Sequence, residues 1–248
     1  MINNIKFTKS QALGNDFVII NSSPLPTGVI KKLAHRRLGI GCDQVIFYQT
    51  VSDDLVTVQF YNADGLGAGA CGNGSRALAL LLKRDGKITL RTLDRELVCE
   101  VHQNKVTINM GRCEIDSSYK YGKLDSVFWI LANIGNPHRV VFVDHLTSYD
   151  LELVAKPYPD DNVSMAEIFG QKINLKTWER GAGYTGACGT AACAVAAIAM
   201  KFGQVGPIVV SQAGGDLTID QHADDIFMTG TAEIVFSGEF SLKDDALY

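Results

Sequence analysis

Tyr61-Asn62-Ala63-Asp64-Gly65-Leu66-Gly67-Ala68-Gly69-Ala70-Cys71-Gly72-Asn73-Gly74-Ser75-Arg76 opens on strand-forming residues, crosses five glycines and runs into Ala77-Leu78-Ala79-Leu80-Leu81-Leu82-Lys83. That alanine- and leucine-rich continuation has helical propensity, so Cys71 stands at or just before a helix N-terminus. The unpaired N–H groups and the positive dipole end there favour an anion, and such a position can lower a thiol's pKa from about 8.5 into roughly 3.5–7.5. The same N–H groups can hold a substrate carboxylate, with Gly72 and Gly74 allowing close approach to the backbone.

A second copy gives the first its meaning. Trp178-Glu179-Arg180-Gly181-Ala182-Gly183-Tyr184-Thr185-Gly186-Ala187-Cys188-Gly189-Thr190 again leads from a strand through glycines to Ala-Cys-Gly, and Ala191 to Lys201 is again helical. Outward from these two points the register holds. Gly14-Asn15 matches Gly135-Asn136, Asp43-Gln44-Val45 matches Asp161-Asn162-Val163, and Tyr61-Asn62 matches Glu179-Arg180, at offsets of 121, 118 and 118 residues against 117 for the cysteines. Ordered matches at a nearly constant offset mark an internal repeat one domain in size.

Short strand patterns dominate both copies: 5–10, 16–21, 43–49, 55–61, 87–92, 96–102 and 105–110, then 127–133, 139–143, 163–168, 173–178, 207–211, 217–220, 226–230 and 233–240. Helices are expected over 28–38 and 148–155 as well as after each cysteine. Strands in succession with short turns favour a mixed, largely antiparallel sheet over alternating parallel units. Ala77 to Leu82 and Ala191 to Ala197 are apolar nearly all round, which suits a helix enclosed by a sheet. The polar segment Asp116 to Lys120, within 113–123, is the expected domain boundary.

Composition bounds the function. The 248 residues can form a sizeable core, and 46% hydrophobic with 20% charged residues is ordinary for a soluble globular protein. A formal net charge of −4 without a long basic cluster gives no electrostatic case for nucleic acid. No apolar run reaches the ~18 residues of a membrane span, and Met1-Ile2-Asn3-Asn4-Ile5-Lys6 lacks a signal-peptide core. Six cysteines without CxxC, HxxxH or a tight disulfide spacing point to reduced thiols in a cytoplasm and to no metal. Cys42, Cys99, Cys113 and Cys193 read as small buried hydrophobes. Neither a dinucleotide fingerprint nor a lysine context for pyridoxal phosphate is present, so no cofactor is expected.

Two equivalent thiols suit one reaction. A carbon held between two sulfurs can lose a proton to one and regain it from the other on the opposite face, which inverts its configuration. The departing α-proton is very weakly acidic, so the spreading negative charge needs donors, and the N–H groups of Gly72, Asn73, Gly189 and Thr190 are placed to supply them.

Five motifs in order carry a resemblance to a known family. They are Gly14-Asn15-Asp16-Phe17, Gly39-Ile40-Gly41-Cys42-Asp43-Gln44, Asn62-Ala63-Asp64-Gly65 leading to Cys71-Gly72-Asn73-Gly74-Ser75-Arg76, Gly135-Asn136-Pro137-His138, and Glu179-Arg180-Gly181-Ala182-Gly183 leading to Ala187-Cys188-Gly189-Thr190. As a set they resemble diaminopimelate epimerase, the two-cysteine family that works without a cofactor. The resemblance implies an α/β (α+β) fold of two pseudo-symmetric domains, each a curved, mostly antiparallel mixed sheet wrapped around a central helix. The halves would be 1–115 with about 238–248, and 116–237. It implies Cys71 and Cys188 as the acid/base pair, with Asn15, Gln44, Asn62, Asn136 and Asn162 binding substrate. Glu179 and Arg180 would grip the distal amino and carboxylate groups, Arg180 in bidentate fashion, and His138 would orient or support the site.

Departures from the family pattern are Leu66 to Ala70, Arg139, Tyr184 and Ala191-Ala192. The leading expectation is epimerisation of LL- to meso-diaminopimelate, in lysine and peptidoglycan precursor synthesis, with a small amino acid as partner and a homodimer left open. The rivals are a racemase for another free amino acid such as histidine or glutamate, a non-catalytic amino-acid binding protein on the same scaffold, and an isomerase of the phenazine-pathway type, which lacks the paired cysteines.

Overall fold

A computed structural model describes residues 4–121 and 128–242. The chain forms two compact units, Met1–Ile108 with Thr231–Tyr248, and Asn109–Gly230. Among the described residues no helix is long and apolar enough to cross a membrane.

The first unit begins with strand β1 (Asn4–Ala12), which turns into β2 (Asn15–Asn21). Leu13 and Gly14 make that turn with φ of 55° and 80°. Two positive φ values in a two-residue loop match the right-handed twist of the paired strands, and so Ala12 sits opposite Asn15. Helix α1 (Thr27–Ala34), β3 (Gln44–Ser52), β4 (Leu55–Asn62), the two-residue β5 (Gly67–Ala68) and helix α2 (Gly72–Leu82) follow. Then come β6 (Asp85–Arg91), β7 (Glu96–His102) and β8 (Lys105–Arg112), the last running across the division between units.

The second unit holds β9 (Glu114–Tyr121), β10 (Phe128–Asn133), β11 (Pro137–Phe142), a 3-10 turn at Leu146–Ser148, α3 (Leu151–Ala155), β12 (Asn162–Phe169), β13 (Lys172–Glu179), β14 (Gly183–Thr185), α4 (Gly189–Lys201), β15 (Ile208–Gln212), β16 (Gly215–His222) and β17 (Asp225–Thr231). Strand β18 (Glu233–Ser241) returns to lie antiparallel to β1.

Within the first unit β1–β2 is antiparallel, β2–β3 parallel, β3–β4 and β4–β5 antiparallel, β4–β6 parallel, and β6–β7–β8 antiparallel. The second unit repeats that order with β10–β11, β11–β12, β12–β13–β14, β13–β15 and β15–β16–β17. A parallel pair needs a long crossover. The cysteine-led helix supplies it in both cases, α2 between β4 and β6 and α4 between β13 and β15. Each helix is buried along most of its length: Ala77, Leu78 and Ala79 of α2 and Ala191 to Val195 of α4 have no more than a trace of exposure. Helices that apolar are stable only where a sheet covers them, and α2 packs on β1, β2, β6 and β7 while α4 packs on β10 to β13, β15 and β16.

Three local expectations change. The helix expected over 28–38 stops at Ala34, because His35 is extended and its Nδ1 accepts the N–H groups of Arg37 and Leu38. The helix expected over 148–155 becomes the 3-10 turn and the short α3, whose start is set by Asp150 accepting from the N–H of Glu152. The polar segment read as a boundary is β9, paired with β10; the expectation for residues 122 and 123 falls outside the described residues.

Candidate active site

In the first unit Cys71 caps α2, and its Sγ accepts the Gly74 N–H at 3.4 Å. A side chain at Gly74 could not fit there. A Cβ would stand 2.9 Å from Phe60 Cε1 and 3.0 Å from Ile46 Cδ1, so the glycine is what lets the start of α2 sit against the sheet. Asn15 Oδ1 lies 3.9 Å from the sulfur. Gln44 Nε2 donates to Asn62 Oδ1 at 2.9 Å, joining two of the expected substrate-binding residues, which the antiparallel β3–β4 register places opposite one another. Asn73 is buried and its Oδ1 accepts from Arg76 Nη2 at 2.7 Å.

In the second unit Cys188 stands at the N-cap of α4, where its sulfur meets the Ala191 N–H. The sulfur also ends a chain of contacts: Asn136 Oδ1 to His138 Nε2 (3.2 Å), His138 Nε2 to Thr190 Oγ1 (3.0 Å), Thr190 Oγ1 to Cys188 Sγ (3.4 Å). Asn136 and His138 flank the start of β11, and Thr190 is in the first turn of α4, so the packing of α4 on β11 builds the chain. Burial, and after it the Glu179 carboxylate, push the Cys188 thiol above its ordinary range, against the lowering effect of Thr190 and the Ala191 N–H. The helix N-terminus therefore does not make this thiol acidic, contrary to the simple dipole expectation. A fully enclosed sulfur beside a carboxylate loses more from desolvation and like charge than it gains from one helix end.

Glu179 is thus a neighbour of Cys188, held by Thr185 Oγ1 at 2.6 Å. Asn162 is buried, with both ends of its carboxamide engaged: Nδ2 on Pro137 O (2.8 Å) and Oδ1 taking the Arg180 N–H (3.1 Å). It orients the Glu179-Arg180 corner through the Arg180 backbone. Arg180 Nη1 reaches Asp160 O at 3.4 Å. Arg139 also has a local role, paired with Asp161 at 2.7 Å and lying 4.0 Å over the Tyr158 ring. Tyr184 is half-exposed on β14.

Burial alone pushes the His138 imidazole down to about 4, so it is neutral at physiological pH. Between about pH 6.5 and 4 the unfolded chain binds a proton that the folded chain refuses. Stability should therefore fall as pH drops through that window, by about 3 kcal/mol in all. Urea unfolding followed from pH 7 to 4.5 is expected to show this slope, and His138→Gln to flatten it.

One residue at the site, Gln212, had no sequence signal, and another, Arg76, stood in a quoted motif with no role assigned to it. Gln212, at the end of β15, accepts the Cys188 N–H at 2.7 Å, and Gly214 N–H holds Gly186 O at 2.8 Å, so the β15–β16 turn clamps the approach to the second cysteine. Arg76, within the first cysteine motif, is fully buried and donates to Asn73 and to the carbonyls of Gly72 and Thr231.

Comparison with known proteins places this arrangement. The diaminopimelate epimerase family model matches residues 7–115 and 130–235. The chain is 39% identical to the diaminopimelate epimerase of Rickettsia prowazekii and 35% identical to that of Rickettsia akari, over 97% of this chain and 98% of each relative. Among solved structures it resembles a predicted epimerase from Pseudomonas aeruginosa (TM-score 0.76, 15% identity, 96% of this chain and 100% of that one). It also resembles a hydroxyproline epimerase from Agrobacterium vitis with bound trans-4-hydroxy-L-proline (TM-score 0.72, 13% identity, 99% and 94%). At such identities these last two are likenesses of fold.

Proposed function

We propose a reaction course from one premise: the chain belongs to the diaminopimelate epimerase family. It is an isomerase that interconverts LL- and meso-diaminopimelate. The observation that carries the course is the same feature in each unit, a cysteine capping the buried helix that crosses between parallel strands.

In this reading the substrate α-carbon lies between Cys71 and Cys188. One sulfur, as thiolate, takes the α-proton and becomes S–H, and the electron pair of the broken C–H bond moves into the α-carboxylate. The amides of Gly72, Asn73, Gly189 and Thr190 meet that charge. The other sulfur, as thiol, delivers its proton to the opposite face of the carbon and becomes thiolate, so the roles exchange with each turnover. Burial and Glu179 favour the protonated state of Cys188, which suits it to start as the acid and Cys71 as the base. Neutral His138, through Thr190, holds the Cys188 sulfur in place. Asn15, Gln44, Asn62 and Asn136 surround the amino and carboxylate groups, and Arg180 receives the distal carboxylate.

A cytoplasmic location is supported by six cysteines with no disulfide among the described residues. A homodimer is supported by the exposed apolar run Ile234, Val235 and Phe236 on β18.

Exchange of the substrate α-proton in deuterated water is the test, run with diaminopimelate, histidine and glutamate in parallel. Exchange and inversion are expected with diaminopimelate, and exchange confined to another amino acid would move the same chemistry to that substrate. Absence of exchange with all three would remove the two-base reading.

A further inference from the structure

The motifs Gly14-Asn15-Asp16 and Cys42-Asp43-Gln44 supply Asn15 and Gln44 to the reading above and leave two aspartates without a part. These carboxylates lie together where β2 begins and the chain enters β3. Asp43 Oδ2 accepts from Asn15 Nδ2 at 2.8 Å and from the Asp16 N–H at 3.1 Å, while Asp43 Oδ1 accepts from Arg36 Nη2 at 2.6 Å. Arg36 also holds Asp16, at 2.8 and 3.1 Å, and Lys9 completes the cluster by donating to Asp16 and to Gly41 O. Burial raises the Asp16 carboxyl, but the hydrogen bonds of Arg36 and Lys9 outweigh it and keep the group well below the usual carboxylate range.

With a guanidinium on one oxygen and two N–H donors on the other, Asp43 acts only as an acceptor. That leaves the Asn15 carboxamide one orientation, its NH2 toward Asp43 and its oxygen toward Cys71 Sγ, 3.9 Å away. We propose that Asp43 is a positioning residue that fixes the Asn15 carboxamide with its oxygen facing Cys71 and thereby favours the S–H form of that sulfur. The inference rests on the reading of Cys71 as an acid/base group. The Gly74 N–H, at 3.4 Å from the same sulfur, favours the thiolate. A sulfur with both an acceptor for its proton and a donor to its charge is matched to a group that must hold both states in each cycle. If Asp43 is lost, Asn15 can turn its NH2 to the sulfur, and the balance shifts to the thiolate.

The pH dependence of alkylation by iodoacetamide, read at Cys71 by peptide mass spectrometry, tests this without turnover, so the proposal and the epimerase reading can fail separately. In Asp43→Ala the Cys71 midpoint is expected to fall by about one pH unit, the equivalent of about 1.4 kcal/mol between its two states. Asp43→Asn, which keeps its oxygen on Arg36 and turns a donor to Asn15, should shift the same way and carries the test if the alanine variant does not fold. The charged groups of the cluster are Lys9 on β1, Asp16 on β2, Arg36 after α1 and Asp43 itself. Asp16→Asn therefore serves as the charge control: it removes one negative charge and leaves Asp43 on Asn15. A parental or higher midpoint in a folded Asp43 variant overturns the proposal, as does an equal fall in Asp16→Asn.

Discussion

Cys188→Ala and Cys71→Ala are each expected to lower kcat/KM for diaminopimelate epimerisation by at least about 10³-fold. The magnitude follows from the worth of a positioned proton donor or acceptor, typically 10² to 10⁴ in rate. The overall equilibrium belongs to the two isomers and not to the enzyme, so the loss must be equal in the LL and meso directions. The two variants should nevertheless part in α-proton exchange. A single remaining sulfur can still remove a proton from the isomer that presents its C–H to it and return a deuteron to the same face, without inversion. Exchange limited to one isomer in Cys71→Ala and to the other in Cys188→Ala is the expected pattern. Either variant epimerising at the parental rate would end the two-base course.

Arg76→Leu should cost about 3–5 kcal/mol of folding stability, read from urea unfolding. The guanidinium is fully buried and donates to Asn73 Oδ1 at 2.7 Å and to the Gly72 and Thr231 carbonyls at 3.4 Å. Leucine fills part of the volume but removes the guanidinium donor from Asn73 Oδ1 and the Thr231 carbonyl, and a buried hydrogen bond lost in this way costs about 1–3 kcal/mol. Activity at temperatures where the variant remains folded should also fall, because Asn73 and Gly72 form the first turn of α2, beside Cys71. A stability change below about 1 kcal/mol would mean that water or another partner replaces the guanidinium there.

Much of the fold could be read from local pattern because local physics produced it. Glycines before an alanine-rich run are strand, turn and helix whatever surrounds them, and a repeat at a fixed offset required the two cysteines to occupy equivalent places. The errors came where a short-range signal met a competing contact. His35 turns its ring back onto the N–H groups of Arg37 and Leu38 and ends α1 early, and the polar segment after Cys113 pairs with β10 instead of linking domains.

The sequence by itself determined the sheet-and-helix class, the family, and a cysteine before each of the two repeated helices, since each depends on residue types at fixed spacings along the chain. Only the tertiary structure decided that Cys188 is buried, that Glu179 stands beside it, that Asn162 braces the Arg180 backbone, that Gln212 holds the Cys188 N–H, and that Arg76 holds Asn73. These outcomes rest on desolvation and on hydrogen bonds between residues far apart in the chain, such as Cys188 and Gln212. Neither leaves a periodic trace in the order of the amino acids.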